Sequence, residues 1–198
     1  MVGILPIGIV ARRLRLKPGV SRTKRMDALN QAELQSFLAT TGIAVADASL
    51  RIGRELSYQP SPRRLIVVHV GSDDRREYIA RTVSIVLSSQ NSWLLIPRFG
   101  PAAKLGSLTT IPEAVALSFG PSERDLLCTY LCTRDMAMGS VSQDIYLVAA
   151  NGGTLVTCDH HTHDDGLSIA LRDVQESCKL LADLNTFGSE LEVFYTDG

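Results

Sequence analysis

Apolar residues at both odd and even positions from Ile145 to Ala150 predict a strand buried on both faces. Asn151-Gly152-Gly153 follows, and these residue types tolerate the positive φ of a tight hairpin turn. Leu155, Val156 and Cys158 then carry the return strand. Continuous apolar runs at Leu65–Val70 and Trp93–Pro97 predict two further buried strands. Alternation over Glu113–Phe119 predicts another, Leu167–Leu171 reads as a short strand, and Leu191–Tyr195 as a final one, apolar at Leu191, Val193 and Tyr195 with Val193 in the core. Residues 48–58 read as a strand or a short hairpin, closed by Pro60 and Pro62.

Helical starts stand out by their caps. Asn30 with Glu33 three residues later forms a capping box, Leu29 and Leu34 supply an apolar staple, and Gly42 is the stop. Ser72 with Asp73 and Asp74 opens a second helix, whose core face carries Tyr78, Ile79, Val83, Val86 and Leu87. Pro121-Ser122 opens a third, with Ser122 as cap, Asp125 at the third position and Leu126, Leu127, Tyr130 and Leu131 inward. Asp173 with Glu176 opens a fourth, with Val174, Cys178, Leu181 and Leu184 as its apolar stripe. Helices do not alternate strictly with strands, and one hairpin is antiparallel. The predicted class is therefore α+β: a layered single domain, with a mixed or largely antiparallel sheet packed with about four helices.

Charge divides the chain unevenly. Residues 1–26 hold Arg12, Arg13, Arg15, Lys17, Arg22, Lys24 and Arg25 and no acid, which reads as a basic, poorly ordered tail ahead of a domain over 27–198. That stretch is read either as an extension upstream of a working start at Met26 or as a basic arm for acidic partners. The other 13 basic residues face all 21 acids, a net of −8 that argues against nucleic acid as the partner. No apolar run reaches the ~20 residues a membrane helix needs. Four cysteines in 198 residues are too few for a disulfide framework and fit a reducing, cytoplasmic compartment.

Candidate chemistry gathers just past Cys158, where Asp159, His160, His161, His163, Asp164 and Asp165 occur together. If the strand continues, Asp159, His161, His163 and Asp165 share one face, two carboxylates and two imidazoles suited to Zn or Mn. Asp159-His160-His161 is similar to the strand-end motif of the DHH phosphoesterases, which would imply two divalent metals and phosphoester cleavage. That family also carries an earlier Asp-x-Asp and a second domain after the motif; no Asp-x-Asp precedes residue 159 here. His161-Thr162-His163 is similar to the His-x-His of the cupin barrels, without their following Glu. The leading expectation is a small soluble interaction protein without a cofactor, its acidic body meeting one protein partner of basic character, as antitoxin and immunity proteins do. The alternative is a hydrolase that holds a divalent metal at Asp159, His161, His163 and Asp165. Neither pattern specifies an oligomeric state.

Overall fold

A computed structural model describes residues 26–47, 54–59, 64–69, 75–98, 114–133, 145–158, 167–186 and 190–195. Strands β1 (Asp27–Leu29), β2 (Ile43–Asp47), β3 (Arg54–Tyr58), β4 (Arg64–His69) and β5 (Trp93–Pro97) come first. Strands β6 (Ala116–Phe119), β7 (Ile145–Ala149), β8 (Thr154–Cys158), β9 (Leu167–Leu171) and β10 (Glu190–Tyr195) follow. The helices are α1 (Gln31–Thr41), α2 (Arg75–Ser88), α3 (Arg124–Thr133) and α4 (Val174–Thr186). Eight strands form one sheet in the order β1-β6-β5-β7-β8-β9-β4-β10, and every pairing in it is antiparallel. β2 and β3 pair separately as a hairpin, Ile43 opposite Tyr58. The fold is thus the expected α+β domain; of residues 48–58, 54–58 form the single strand β3, whose partner β2 precedes them, and 48–53 lie outside the described residues.

The sheet is covered on both sides. Leu95, Leu117, Leu147, Val156 and Ile169 share one cluster with Val83, Val86 and Leu87 of α2, Leu127 of α3 and Leu180 and Leu184 of α4. Leu94, Ile96, Tyr146, Val148 and Leu155 share the other with Leu34 and Leu38 of α1 and Ile43, Leu56 and Tyr58 of the hairpin. Two covers explain why β5 and β7 are apolar at consecutive positions: all five residues of each are buried. Each fully buried aliphatic or aromatic side chain there contributes about 1.5–3 kcal/mol relative to exposure. Trp93, fully buried, also donates its indole N–H to the Leu87 carbonyl (3.1 Å), tying the end of α2 to the start of β5. Met26, one residue before β1, is buried in the first cluster, so it packs with the domain and not with the expected tail. Among the described residues no helix is long and apolar enough to cross a membrane.

Local expectations hold where one cap decides them. Asn30 accepts from the N–H groups of Ala32 and Glu33, Glu33 accepts from the Asn30 N–H, and Gly42 ends α1 at φ 62°. Elsewhere the structure corrects the pattern. Ser122 does not cap α3: Pro121–Glu123 forms a 3-10 turn, Glu123 receives the Gly120 N–H at 2.9 Å, and the helix begins at Arg124. Asp173 caps α4 through the N–H groups of Gln175 and Glu176, but the Glu176 carboxylate turns away to Gln90 (2.8 Å), so only half the expected box forms. The buried stripe of α4 is Ser177, Leu180 and Leu184, leaving Val174 and Cys178 exposed. Val193, expected in the core, is half-buried and Tyr195 is 65% exposed, because among the described residues β10 is the edge strand. The Ser72 cap, the side chains of Tyr78, Ile79, Tyr130 and Leu131, and the tail over 1–25 lie outside what the structure describes.

These positions set a stability contrast. Leu147→Ala, in the central strand, should cost about 2–5 kcal/mol by urea unfolding, and Val193→Ala, half-buried at the edge, about 1 kcal/mol. Equal costs would mean that the core does not centre on β7.

Candidate functional site

The two ends of the sheet differ. At one, β8 stops at Cys158 and β9 starts at Leu167, and these two residues are directly paired. Residues 159–166 join them, so the expected ligands Asp159, His161, His163 and Asp165 all fall in that connection, which lies outside the described residues. The expected common face of an extended strand therefore has no described geometry. β4 runs beside β9 with Val68 opposite Leu167, which brings the backbone of His69, the fourth histidine, to the same end. Ile145 opposite Cys158 and Pro97 opposite Ile145 bring β7 and β5 to it as well. The Cys158 side chain is buried in the core, between strands on either side. Among the described residues no three His, Cys, Asp or Glu side chains are arranged to hold a metal.

The other end is polar and closely built. Gly152 takes φ 72° in the β7–β8 turn, and a Cβ there would lie 2.6 Å from Thr41 Cβ, so only glycine lets the turn meet the end of α1. Tyr58 of β3 donates its hydroxyl to the Gly152 carbonyl at 2.8 Å, in a buried position. The Arg172 guanidinium lies 4.5 Å from the centre of the Tyr58 ring and donates to the Gly42 carbonyl at 3.0 Å. Arg172 also donates its backbone N–H to Gly153. One tyrosine and one arginine thus join α1, the β2–β3 hairpin and the β7–β8 turn. Burial pushes the Tyr58 phenol well above the usual tyrosine range; Arg172 offsets part of that rise and Glu176 adds to it.

A second polar chain lies on the helical side of this end. Gln90 links Glu176 through its side chain to Arg124 through its carbonyl, which also receives the Trp93 indole. Beside it Glu123, only 7% exposed, accepts from the Gly120 N–H and from the Ser122 hydroxyl at 2.6 Å. Asp27, Ser92, Ser118, Ser122 and Glu123 line an open cleft of about 320 Å³ there. Its described lining offers carboxylates and hydroxyls for hydrogen bonds. Sequence reasoning missed this end because its partners are remote: 94 residues separate Tyr58 from Gly152, 130 separate Arg172 from Gly42 and 86 separate Gln90 from Glu176. The one local signal was Gly152-Gly153 itself.

No family model, no curated protein and no solved structure matches the chain.

The Tyr58 environment has a pH signature. An unfolded tyrosine ionises near pH 10, while the folded one retains its proton. The stability this contributes is complete below about pH 10 and declines as pH rises beyond it. Tyr58→Phe should cost about 1–3 kcal/mol at neutral pH, by loss of the buried hydrogen bond, and should flatten the alkaline decline. Urea unfolding of both proteins across that range checks it; parallel alkaline curves would assign the decline to other groups.

Proposed function

We propose that this protein is an interaction module that engages one protein partner of basic character. What carries the reading is how charge divides between interior and surface. Among the described residues Asp27, Glu33, Glu55, Asp125, Asp173, Asp183 and Glu192 are exposed, against Arg81 and Lys179. The described arginines are largely turned inward. Arg172 and Arg124 are half-buried and bond backbone carbonyls, Arg98 is 11% exposed beside Glu55, and Arg64 lies over the Tyr195 ring. Among the described residues the fully exposed charges are therefore mostly carboxylates, seven against two cations. Such a surface steers basic partners and repels nucleic acid. An antitoxin or immunity protein that neutralises a basic toxin would act in this manner.

The test is affinity capture with the full chain, then reconstitution from the purified partner. Binding should weaken at least about tenfold between low and physiological-to-high salt, and again in Asp125→Lys/Asp183→Lys, two exposed positions on α3 and α4. A partner of acidic character, or affinity indifferent to both changes, would sink the reading.

A second reading rests on the opposite end of the sheet. There the connection whose sequence carries Asp159, His161, His163 and Asp165 leaves β8 and enters β9, and β9 neighbours the strand that ends at His69. On this reading the protein is a metal-dependent hydrolase with Zn or Mn at those residues. Untagged protein should then carry about one equivalent of metal through gel filtration, and His161→Ala/His163→Ala none. If neither protein carries metal nor gains thermal stability from added Zn or Mn, the histidines are a polar connection.

A further inference from the structure

The chain supplies the two covers of the sheet in different ways. α2 lies between β4 and β5, α3 between β6 and β7, and α4 between β9 and β10, so three separate stretches make the helical cover. The release of any one of them leaves most of that face covered. α1, β2 and β3 instead follow one another between β1 and β4, within a single stretch. Among the described residues β2 and β3 pair with each other and with no strand of the eight-stranded sheet. This stretch can therefore leave while every ladder of that sheet stays closed. Units that open together in native proteins are contiguous in this way.

The layer is one element thick. On β3, Leu56 and Tyr58 are buried while Glu55 and Ser57 face solvent, and the buried positions of α1 are Leu34, Leu38 and Thr41. Leu34, Leu38, Ile43, Leu56 and Tyr58 form its apolar side, against β5, β7 and β8. Polar links from the layer to the sheet stand at both ends of β3. At one, Tyr58 donates to the Gly152 carbonyl at 2.8 Å, and Arg172, just past β9, reaches the Gly42 carbonyl at 3.0 Å. At the other, Arg98 lies 3.8 Å from Glu55, whose side chain is 57% exposed. An exposed pair at that distance contributes little, so the buried Tyr58 bond is the firmer fastening.

We infer that α1 and the β2–β3 hairpin form a detachable layer, clasped by Tyr58 and Arg172, which opens as one unit from an intact sheet. Opening uncovers the apolar side of β5, β7 and β8 that carries Leu94, Ile96 and Val148, while the helical cover stays in place. The protein thus has a second conformation in which one face of its sheet meets solvent. The clasp sets how often that conformation is reached, because both of its side chains bridge the layer and the rest of the fold.

β7 provides the test, since two consecutive residues look to opposite covers. Val148 packs under α1 and the hairpin and Ala149 under the helices, and both are fully buried. Val148→Cys and Ala149→Cys, each in the full chain, are treated with a thiol reagent in native buffer, and the labelled position is read by peptide mass spectrometry. Val148→Cys should react at least about tenfold faster than Ala149→Cys. Adding Tyr58→Phe should speed the Val148→Cys reaction about tenfold. Leu127→Ala, which weakens the helical cover, should speed the Ala149→Cys reaction and leave that of Val148→Cys unchanged. Equal rates at the two positions, a Val148→Cys rate that follows Leu127→Ala, or one indifferent to Tyr58→Phe would each overturn the inference. Hydrogen exchange of the unaltered chain in low urea reads the same event without a substitution. Amides of α1, β2 and β3 should share one opening with a smaller urea dependence than those of β5 and β7, because less surface is exposed. A single urea dependence for layer and sheet would mean that they open only together, and the layer is then not detachable.

Discussion

Everything in this fold depends on a sheet that must be kept from water on both faces. β5 and β7 have no polar side to offer solvent, so one cover is not enough. Three helices form one cover, and α1 with the β2–β3 hairpin forms the other. The second cover is the smaller, and polar contacts fasten it as they do the first, here through Tyr58, Arg172 and the carbonyls of Gly42, Gly152 and Gly153. Apolar burial is non-directional and leaves a small layer free to slide. The tyrosine and arginine contacts set its position, which explains why they cross between elements and not within one.

What could be read from the chain follows the range of the interaction. Asn30, Glu33 and Gly42 bound α1 correctly because capping involves residues at most four apart. β7 was recognisable as central because burial on both faces leaves its mark on consecutive residues. The misjudged details each depended on something distant. Glu176 was expected to close its own helix cap, and Gln90 of another element captured it. The α4 stripe was placed on Val174 and Cys178, but a serine, Ser177, is fully buried in their place, which hydrophobicity alone does not signal. Val193 and Tyr195 alternate like core residues, yet their burial depends on whether another strand follows in space, and strand order is not written in any one strand.

The candidate site was legible as composition and not as geometry. A run of histidine and aspartate between two strands is easy to see, but its value as a ligand set depends on loop conformation, for which period-two alternation is no guide once the strand has ended at Cys158. The surface tells the complementary story. Net charge was known from counting, but which charges reach solvent was not. Among the described residues Arg172, Arg124 and Arg64 are occupied by carbonyls and rings, Glu123 and Glu176 turn inward as well, and Asp27, Glu33, Glu55, Asp125, Asp173, Asp183 and Glu192 are exposed.

The place of β4 carries a further consequence, for the order in which the protein can be made. β4 lies between β9 and β10, and both of its neighbours come from the chain after residue 166. On the ribosome, the apolar segment Leu65–Val68 emerges long before either strand that will pair with it exists. Throughout that interval both of its edges are open, and its two apolar faces lack the neighbours that complete their burial. Local hairpins such as β7–β8 can close as they are synthesised, but the sheet becomes continuous only when the last strands arrive on either side of an early one. A chain halted before residue 167 keeps β4 unpaired, so the nascent protein passes through a long aggregation-prone phase that the finished one does not retain.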